Sequence, residues 1–288
     1  MLKINHLKKN YPSFSLDCSL HVAPGCITGL IGQNGSGKST TFKSILGLIS
    51  TDGGQISLFG KDMHELTIAD RQKLGVVLSD SGFSGYITPQ DLVPILKNLY
   101  PDFDKAFFLT NLEKFGLSGT KKIKEFSTGM KAKLKVLVAI SHNARLLLLD
   151  EPTAGLDPKE RVRFRNLISS FSKDKIVLLS THIVSDVEYI ADKIFLMKEG
   201  QILKEGTPEE ITAQMNGLVW ECEVDEKRAA ELEYRYTIVN MKKKNGAIEL
   251  RIVSDTKPDE AAISVDATLE DMYLYYFKED GNEAIMEF

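Results

Sequence analysis

Uniformly apolar runs of strand length recur along the first two thirds of the chain. They are CITGLIG (26–32), RLLLLD (145–150), DKIVLLS (174–180) and DKIFLMK (192–198). Strands that are apolar on both faces are typical of parallel sheets covered by helices. The first run leads into a glycine loop and then into the helical stretch KSTTFKSILGL. The pattern therefore predicts βα units and an α/β core with a mostly parallel sheet.

Two regions of the sequence have different patterns: one precedes this core and the other lies within it. LKINHL and FSLDCSLHV, separated by the turn at Tyr11-Pro12, predict strands at the N-terminus. Between about 82 and 143 helical periods dominate, which predicts a helical subdomain inserted into the core. We expect the aromatic residues of this subdomain to be buried, because aromatic side chains usually are: Phe83, Tyr86, Phe103, Phe107 and Phe108.

The segment 217–288 has its own pattern and predicts a small C-terminal α+β extension. YTIVNM and AIELRIV are expected to form a hairpin, with Asn245-Gly246 at the turn. Lys242 to Lys244 precede that turn. A solvated turn explains three lysines there, and contact with phosphate or lipid is the alternative.

Composition narrows the class of protein. With 288 residues, 43% hydrophobic and 26% charged, the chain is long enough for one large globular domain and a small one. Its net charge of −4 provides no basic surface, so we expect no nucleic-acid partner. Three scattered cysteines predict no disulfide framework and fit a reducing cytosol. No apolar run approaches the ~18 residues of a membrane span, and we expect no signal peptide.

The loop after the first buried strand matches the phosphate-binding motif G-x-x-x-x-G-K-[ST] in the strand-to-helix context that the motif requires. Its glycines let backbone amides wrap a β-phosphate. We expect Lys38 to face solvent without ligand and to reach the β and γ oxygens of a bound nucleotide, and the Ser39 hydroxyl to ligate Mg²⁺. The candidate residues are Gly32, Gln33, Asn34, Gly35, Ser36, Gly37, Lys38, Ser39 and Thr40.

Acidic residues end the four-leucine strand, at the sheet edge where α/β proteins bind ligands. Asp150 is expected to hold Mg²⁺ through water, and Glu151 to polarise an attacking water. His182 follows the strand DKIVLLS and should emerge at the same edge, in contact with phosphate or water.

A second helix start suits an anion. In EFSTGMKAKLK, Ser127 can cap the first turn, Gly129 allows close approach of another backbone, and the helix dipole adds partial positive charge. One phosphate loop already lies earlier in the chain, so this end calls for a separate explanation.

With these motifs the chain resembles the ATP-binding subunit of a bacterial ABC transporter over roughly residues 1–215. The motifs stand in the family order: GQNGSGKST (32–40), FSTGM (126–130) at the signature position, LLLLDE (146–151), AGLD (154–157) and His182. The resemblance implies a P-loop NTPase fold with an N-terminal antiparallel β subdomain, and ATP and Mg²⁺ as cofactors. It also implies a cytoplasmic subunit, peripheral on the inner face of the membrane, that powers export through a separate transmembrane permease.

In that family two ATPase subunits meet head to tail, as a homodimer or a pair of paralogues. The resemblance implies that Ser127 and Gly129 clamp the nucleotide held by the other subunit, which accounts for the second helix start. It further implies that Asp157 lies in the loop crossing the interface. Tyr11 matches the aromatic on which adenine stacks, with an ordinary turn tyrosine as the alternative.

The chain departs from the family pattern at its signature and after LGVV. Thr128 and Met130 replace a glycine and a glutamine of the signature, and no glutamine stands near Ser79. Ser79 or Asp80 would then contact Mg²⁺ or water. These departures, and the ending TLEDMY (268–273), resemble an exporter branch that acts in drug, antimicrobial-peptide or lipid-linked export.

Two rival functions fit part of the pattern. A soluble, non-transport ABC ATPase acting on ribosomes or DNA would usually carry two nucleotide domains or a long coiled coil, which this sequence does not show. A phosphotransferase would use the glycine loop but leave FSTGM, Asp157 and His182 without a role.

Overall fold

The structure, a computed structural model, describes residues 1–244 and 246–277. The chain divides into two compact units, Met1–Glu205 and Gly206–Phe288. The sequence predicts a domain boundary between 215 and 217, whereas the structure divides the chain at 205/206. The short helix that begins at Pro208 therefore belongs to the second unit and not to the first.

The first unit alternates strands and helices, as the pattern of apolar runs predicts. Its strands are β1 (Leu2–Tyr11), β2 (Phe14–Val22), β3 (Ile27–Ile31), β4 (Gly53–Leu58), β5 (Lys61–Asp62), β6 (Leu74–Val77), β7 (Leu146–Asp150), β8 (Ile176–Thr181), β9 (Lys193–Lys198) and β10 (Gln201–Gly206). Its helices are α1 (Lys38–Ile45), α2 (Ile68–Arg71), α3 (Pro89–Leu99), α4 (Lys105–Lys114), α5 (Thr128–Ile140) and α6 (Pro158–Phe171).

An antiparallel sheet of order β2-β1-β4-β5 forms the N-terminal subdomain. Alternate side chains of β1 point inward, so Leu2 and Ile4 are buried while their neighbours are exposed. They share one core with Phe42 of α1 and with Leu148 and Phe195 of the larger sheet. The predicted antiparallel β subdomain is therefore confirmed.

The larger sheet has the order β10-β9-β3-β8-β7-β6. The pairs β9-β3, β3-β8, β8-β7 and β7-β6 are all parallel. Every residue of β3, β7 and β8 is buried, as expected for strands covered on both faces. The carboxyl ends of β3, β7 and β8 lie side by side, which brings the phosphate loop, Asp150 and His182 to one edge.

Helices α3, α4 and α5 form the inserted subdomain. Its core includes Leu96, Phe108 and Leu137, and Phe83, Phe103 and Phe107 pack partly buried against it. Tyr86 is exposed, which contradicts its predicted burial: its ring faces outward, with the Lys124 ammonium 5.2 Å from the ring centroid.

The second unit contains α7 (Pro208–Ala213), β11 (Val219–Val224), α8 (Glu226–Arg235), β12 (Thr237–Lys244), β13 (Ala247–Val253), β14 (Ile263–Ser264) and α9 (Leu269–Tyr276). Its sheet has the order β12-β13-β11-β14. The antiparallel pairing of β12 with β13 confirms the predicted hairpin, although Asn245 at its turn lies outside the described residues. Lys242 to Lys244 are exposed on β12, an edge strand.

Within residues 1–244 and 246–277, none of the helices combines the length and the apolar character needed to span a bilayer.

Candidate active site

The phosphate loop connects β3 to α1 and depends on backbone conformations that only glycine adopts readily. Gly37, just before α1, has φ 110°. A Cβ atom there would also lie 3.0 Å from side-chain atoms of Phe14 and Leu16. The Ser36 hydroxyl is buried and has no hydrogen-bond partner within the described residues. The loop therefore presents the close backbone approach and the unpaired donor that a phosphate requires.

Lys38 begins α1 and is buried, with 5% of its surface exposed. Its ammonium donates to the carbonyls of Gly32 at 2.7 Å and Gln33 at 3.0 Å, and lies 3.6 Å from Oε1 of Glu151. The expectation that Lys38 faces solvent is wrong, because the loop carbonyls and Glu151 hold the charge inside. Burial lowers the pKa of Lys38, while the nearby carboxylates of Glu151 and Asp150 oppose that shift.

A cleft of about 800 Å³ opens beside the loop, within the size range of small-molecule sites. Tyr11 lines the cleft and is 41% exposed, so part of the side chain is accessible to a ligand. The lining residues are Tyr11, Pro12, Ser13, Phe14, Asn34, Gly35, Gly37, Lys38, Ser39, Thr40, Ser79 and Glu151. The cleft thus brings together an aromatic residue and the phosphate loop.

Asp150 is a buried carboxylate that accepts three hydroxyl hydrogen bonds. Ser39 donates to Oδ2 at 2.9 Å, Ser79 donates to the same oxygen at 2.8 Å, and Ser180 donates to Oδ1 at 2.5 Å. The hydroxyls of Ser39 and Ser79 therefore both lie within hydrogen-bond distance of Oδ2 of Asp150. Magnesium prefers such oxygen ligands and usually takes only one or two carboxylates, completing its shell with water and phosphate. These residues fit a Mg²⁺ ion.

Glu151 follows β7 in the left-handed region, with φ 48°. Its amide donates to the carbonyl of Ser180 at 3.0 Å, which anchors the turn on the neighbouring strand. Oε2 lies 2.9 Å from Nδ1 of His182, while Oε1 is buried and lacks a hydrogen-bond partner in the described structure. A non-glycine residue with this φ costs free energy and is typical of functional sites.

The predicted second anion site lies elsewhere. The Ser127 hydroxyl caps α5 by accepting from the amide of Met130 at 3.2 Å, and Ser127 is exposed. Gly129 lies against the carbonyl of Gly155, which a Cβ atom would approach to 2.8 Å. Asp157 is exposed and caps α6 by accepting from the amide of Glu160 at 2.9 Å. Among the described residues, none of these three lines the cleft beside the phosphate loop.

Sequence reasoning missed two polar residues near Asp150. Ser180 pairs directly with Asp150 in the parallel register of β7 and β8, and the polar Ser180-Thr181 end of an otherwise apolar strand was its signal. Lys135 donates to the carbonyls of Leu78 at 3.1 Å and Ser79 at 3.5 Å. Its signal in the sequence is a charged residue within the otherwise apolar run LKVLVAI.

Comparison with known proteins places the chain among transporter ATPases. Residues 16–154 match the ABC transporter family. The lantibiotic transport ATP-binding protein SrtF of Streptococcus pyogenes is 34% identical over 210 residues, which cover 71% of this chain and 90% of that protein. The bacitracin transport ATP-binding protein BcrA of Enterococcus faecalis is 33% identical over 258 residues, which cover 87% of this chain and 83% of that protein.

The fold is shared with a solved ATP-binding cassette, described as dimeric in a post-hydrolysis state bound to ADP and Pi. The superposition has a TM-score of 0.62 at 21% identity and covers 72% of this chain and 98% of that chain. The present chain belongs to the ABC transporter family, as one of its ATP-binding proteins. The predicted P-loop NTPase fold and the predicted ATP-hydrolysing subunit of an export-type transporter are confirmed, and the comparisons give the ribosome or DNA alternative no support.

Proposed function

We propose that Lys38, Glu151 and His182 carry out ATP hydrolysis in the cleft beside the phosphate loop. The proposal rests on the hydrogen bonding of the Glu151 carboxylate. One oxygen is held by His182, and the other is buried, 3.6 Å from the Lys38 ammonium, without a hydrogen-bond partner within the described residues. A carboxylate fixed at one oxygen and free at the other can orient a water molecule and accept its proton.

The chemistry follows from this arrangement. The water oxygen forms a bond to the γ-phosphorus as the bond to the bridging oxygen of ADP breaks, and one water proton passes to Oε1 of Glu151. Lys38 exchanges its two carbonyl partners for phosphate oxygens and stabilises the charge that moves onto them. Tyr11 stacks on the adenine, because its partly exposed ring lines the same cleft.

Ser39, Ser79 and Asp150 would hold a Mg²⁺ ion, because both hydroxyls lie within hydrogen-bond distance of the same carboxylate oxygen. The ion would supply positive charge that neutralises the charge developing on the phosphate oxygens. Ser180 holds the other oxygen of Asp150 and so fixes the direction in which the carboxylate points. Ser79 contributes an oxygen in a segment where the family pattern usually has a glutamine nearby.

A second ATPase subunit completes the site. Ser127 and Gly129 lie outside the wall of their own cleft among the described residues, and the helix end they form is exposed and suited to an anion. The solved cassette of the same fold is dimeric. Ser127 and Gly129 therefore contact the γ-phosphate bound by the partner subunit, and Asp157 faces the same interface.

The chain drives a separate membrane-spanning permease from the cytoplasmic face. Its relatives are named for transport of lantibiotics and of bacitracin, which makes antimicrobial peptides the proposed class of exported substrate. Purification from the native membrane with a tag on this chain should recover a membrane-spanning chain alongside it. Recovery of ribosomes or DNA instead would contradict the assignment.

Phosphate release tests the hydrolytic site. The purified chain with MgATP and no added acceptor should release inorganic phosphate, and Lys38→Ala should lower the rate by about 10² to 10³, the usual effect of removing one preorganised donor to a transition-state charge. Lys8→Ala is the matched control, because Lys8 forms a surface ion pair with Asp17 and does not line the cleft. Equal rates in the two variants would contradict the role of Lys38, and phosphate transfer only to an added acceptor would favour a phosphotransferase.

A further inference from the structure

The loop after β6 carries the hydroxyl that meets Asp150. Ser79 stands two residues beyond the end of β6, and its side chain donates to Oδ2 of Asp150 at 2.8 Å. A serine side chain is short, so the hydroxyl can reach Asp150 only if the backbone of Ser79 is itself held close. The position of this loop therefore decides whether Ser79 belongs to the site.

Lys135 of α5 holds that backbone. Its ammonium donates to the carbonyl of Leu78 at 3.1 Å and to that of Ser79 at 3.5 Å. The Leu78 carbonyl also accepts from the hydroxyl of Ser81 at 3.0 Å, which closes the loop into a turn. The lysine thus bonds the carbonyls of the two peptide groups that flank the Cα atom of Ser79.

The surroundings of Lys135 explain why its ammonium lies there. Lys135 is half-buried, and its side chain lines a cavity of about 470 Å³ together with Ser79, Asp150 and Glu151. Burial lowers the pKa of Lys135, and the carboxylates of Asp80 and Asp150 oppose that shift. A partly buried cation needs hydrogen-bond acceptors, and the two loop carbonyls supply them.

A second lysine also contacts the loop, through a weaker kind of interaction. Lys43 of α1 lies 2.6 Å from a carboxylate oxygen of Asp80, and both side chains are substantially exposed. Exposed ion pairs are screened by water and salt and stabilise structures little. Lys135 bonds two main-chain carbonyls, and its shorter bond, to Leu78, is partly buried, so Lys135 has the greater influence on the position of Ser79.

We propose that Lys135 is a positioning residue for the metal side of the active site, holding the backbone of Ser79 so that its hydroxyl reaches Asp150 and the Mg²⁺ ion. This inference rests on the proposed role of Ser79 as a metal ligand. It also links α5, whose first turn carries the signature residues, to the metal site of the same chain. A displacement of α5 would move the Ser79 hydroxyl relative to Asp150.

Magnesium dependence of ATP hydrolysis tests the proposal. We expect Lys135→Met, which keeps the length of the stem and removes the donor, to raise the half-saturating Mg²⁺ concentration by about 10-fold, the lower end of the effect of removing an outer-shell partner. Binding of ATP without Mg²⁺ should change little, since Lys135 does not line the nucleotide cleft. Lys135→Arg should restore most of the Mg²⁺ response, because its guanidinium can donate to both carbonyls.

Lys124→Met is the matched control. Lys124 lines the same cavity, but its ammonium lies over the ring of Tyr86. The control should keep the wild-type Mg²⁺ response. Thermal melting of each variant separates a loss of fold from a loss of positioning.

A Ser79→Ala background separates the role of Lys135 in positioning from the role of Ser79 as a metal ligand. If Lys135 acts through Ser79, then Lys135→Met should add little to the Mg²⁺ defect of Ser79→Ala. A normal Mg²⁺ response in Lys135→Met beside a defective Ser79→Ala, or fully additive defects, would overturn the role of Lys135 and leave Ser79 as a ligand. A normal response in Ser79→Ala would overturn both the proposed ligand and this inference.

Discussion

Nδ1 of His182 lies 2.9 Å from Oε2 of Glu151 and fixes one oxygen of that carboxylate at the end of the parallel sheet. The two residues follow neighbouring strands, β8 and β7, whose register is parallel. The contact leaves Oε1 of Glu151 directed to the side of Lys38. The orientation of Glu151, the proposed general base, therefore depends on a residue 31 positions later in the chain.

Replacement of His182 by alanine should lower the turnover of ATP by about 10², at the low end of the effect of a positioned acid or base, because Glu151 loses the partner that orients it. ATP affinity should remain close to wild type, since the phosphate loop is intact. Turnover and nucleotide binding measured side by side check this expectation. His21→Ala, at an exposed position of β2, is the control. Similar losses of affinity and turnover in His182→Ala would contradict the orienting role.

Ser180→Ala should weaken Mg²⁺ binding by about 10-fold or more, because Oδ1 of Asp150 loses a 2.5 Å hydrogen bond that orients the carboxylate. The half-saturating Mg²⁺ concentration for ATP hydrolysis measures this effect. Ser170→Ala is a suitable control, because among residues 1–244 and 246–277 the Ser170 hydroxyl bonds to the carbonyl of Leu167 in its own helix, α6, and is remote in sequence from Asp150. An unchanged Mg²⁺ response in Ser180→Ala would show that Asp150 is oriented without Ser180.

His142 should make the stability of the fold depend on pH. It is 2% exposed, stacks on Tyr100 with ring centroids 3.8 Å apart, and contacts the carbonyls of Val138 and Leu74 through its two ring nitrogens. Burial lowers the pKa of His142 and outweighs the opposing effect of the two carbonyls. The unfolded chain then takes up a proton near the ordinary pKa of ~6.5, whereas the folded chain does so only at lower pH.

Stability is therefore fully present above about pH 6.5 and is lost as the pH falls from that value through the lower pKa of the folded state. The melting temperature should be measured at about pH 7.5 and about pH 5.5, roughly one pH unit above and below the ordinary histidine pKa. His142→Gln, which still donates to a carbonyl but does not titrate, should lose less stability on acidification than wild type. Parallel losses in the two proteins would contradict the assignment to His142.

The sequence pattern predicts the elements whose signal is local. β7 and β8 are buried throughout and β9 is buried at its four central positions, so all three are evident as apolar runs, and the phosphate loop is a contiguous motif. Strand β4 begins with two glycines and exposed positions, and β6 has only four residues, so neither gives a clear period.

Parts of the site depend on contacts between distant segments, which periodicity does not reveal. Lys135 meets the Leu78 carbonyl across 57 positions, and Ser180 meets Asp150 across 30. Lys38 is buried because the carbonyls of its own loop turn toward it, a consequence of loop conformation that the letters GQNGSGK do not show.

The proposed sharing of each nucleotide between two subunits gives the strongest test of the proposed function. Glu151→Gln removes the base but keeps the shape of the side chain and leaves Lys38, Ser39 and Asp150 in place. Turnover should fall by about 10² to 10⁴. Unhydrolysed ATP should then persist between two subunits and stabilise the dimer by mass action.

Ser127 is the position at which to break that dimer. Gly129 is less suitable, because any side chain there would crowd the carbonyl of Gly155 in its own chain. Aspartate and asparagine both cap helices well, so either can replace Ser127 without loss of the α5 cap. Only aspartate adds a negative charge, at the position proposed to face the partner's γ-phosphate, which makes the two variants a matched pair.

The most direct measurement is the molar mass of Glu151→Gln by size-exclusion chromatography with light scattering, with and without MgATP, alone and combined with Ser127→Asp or Ser127→Asn. The shared-site account predicts an ATP-dependent dimer for Glu151→Gln and for its combination with Ser127→Asn, and a monomer for the combination with Ser127→Asp. Dimerisation indifferent to MgATP, or equal in the aspartate and asparagine variants, would contradict it.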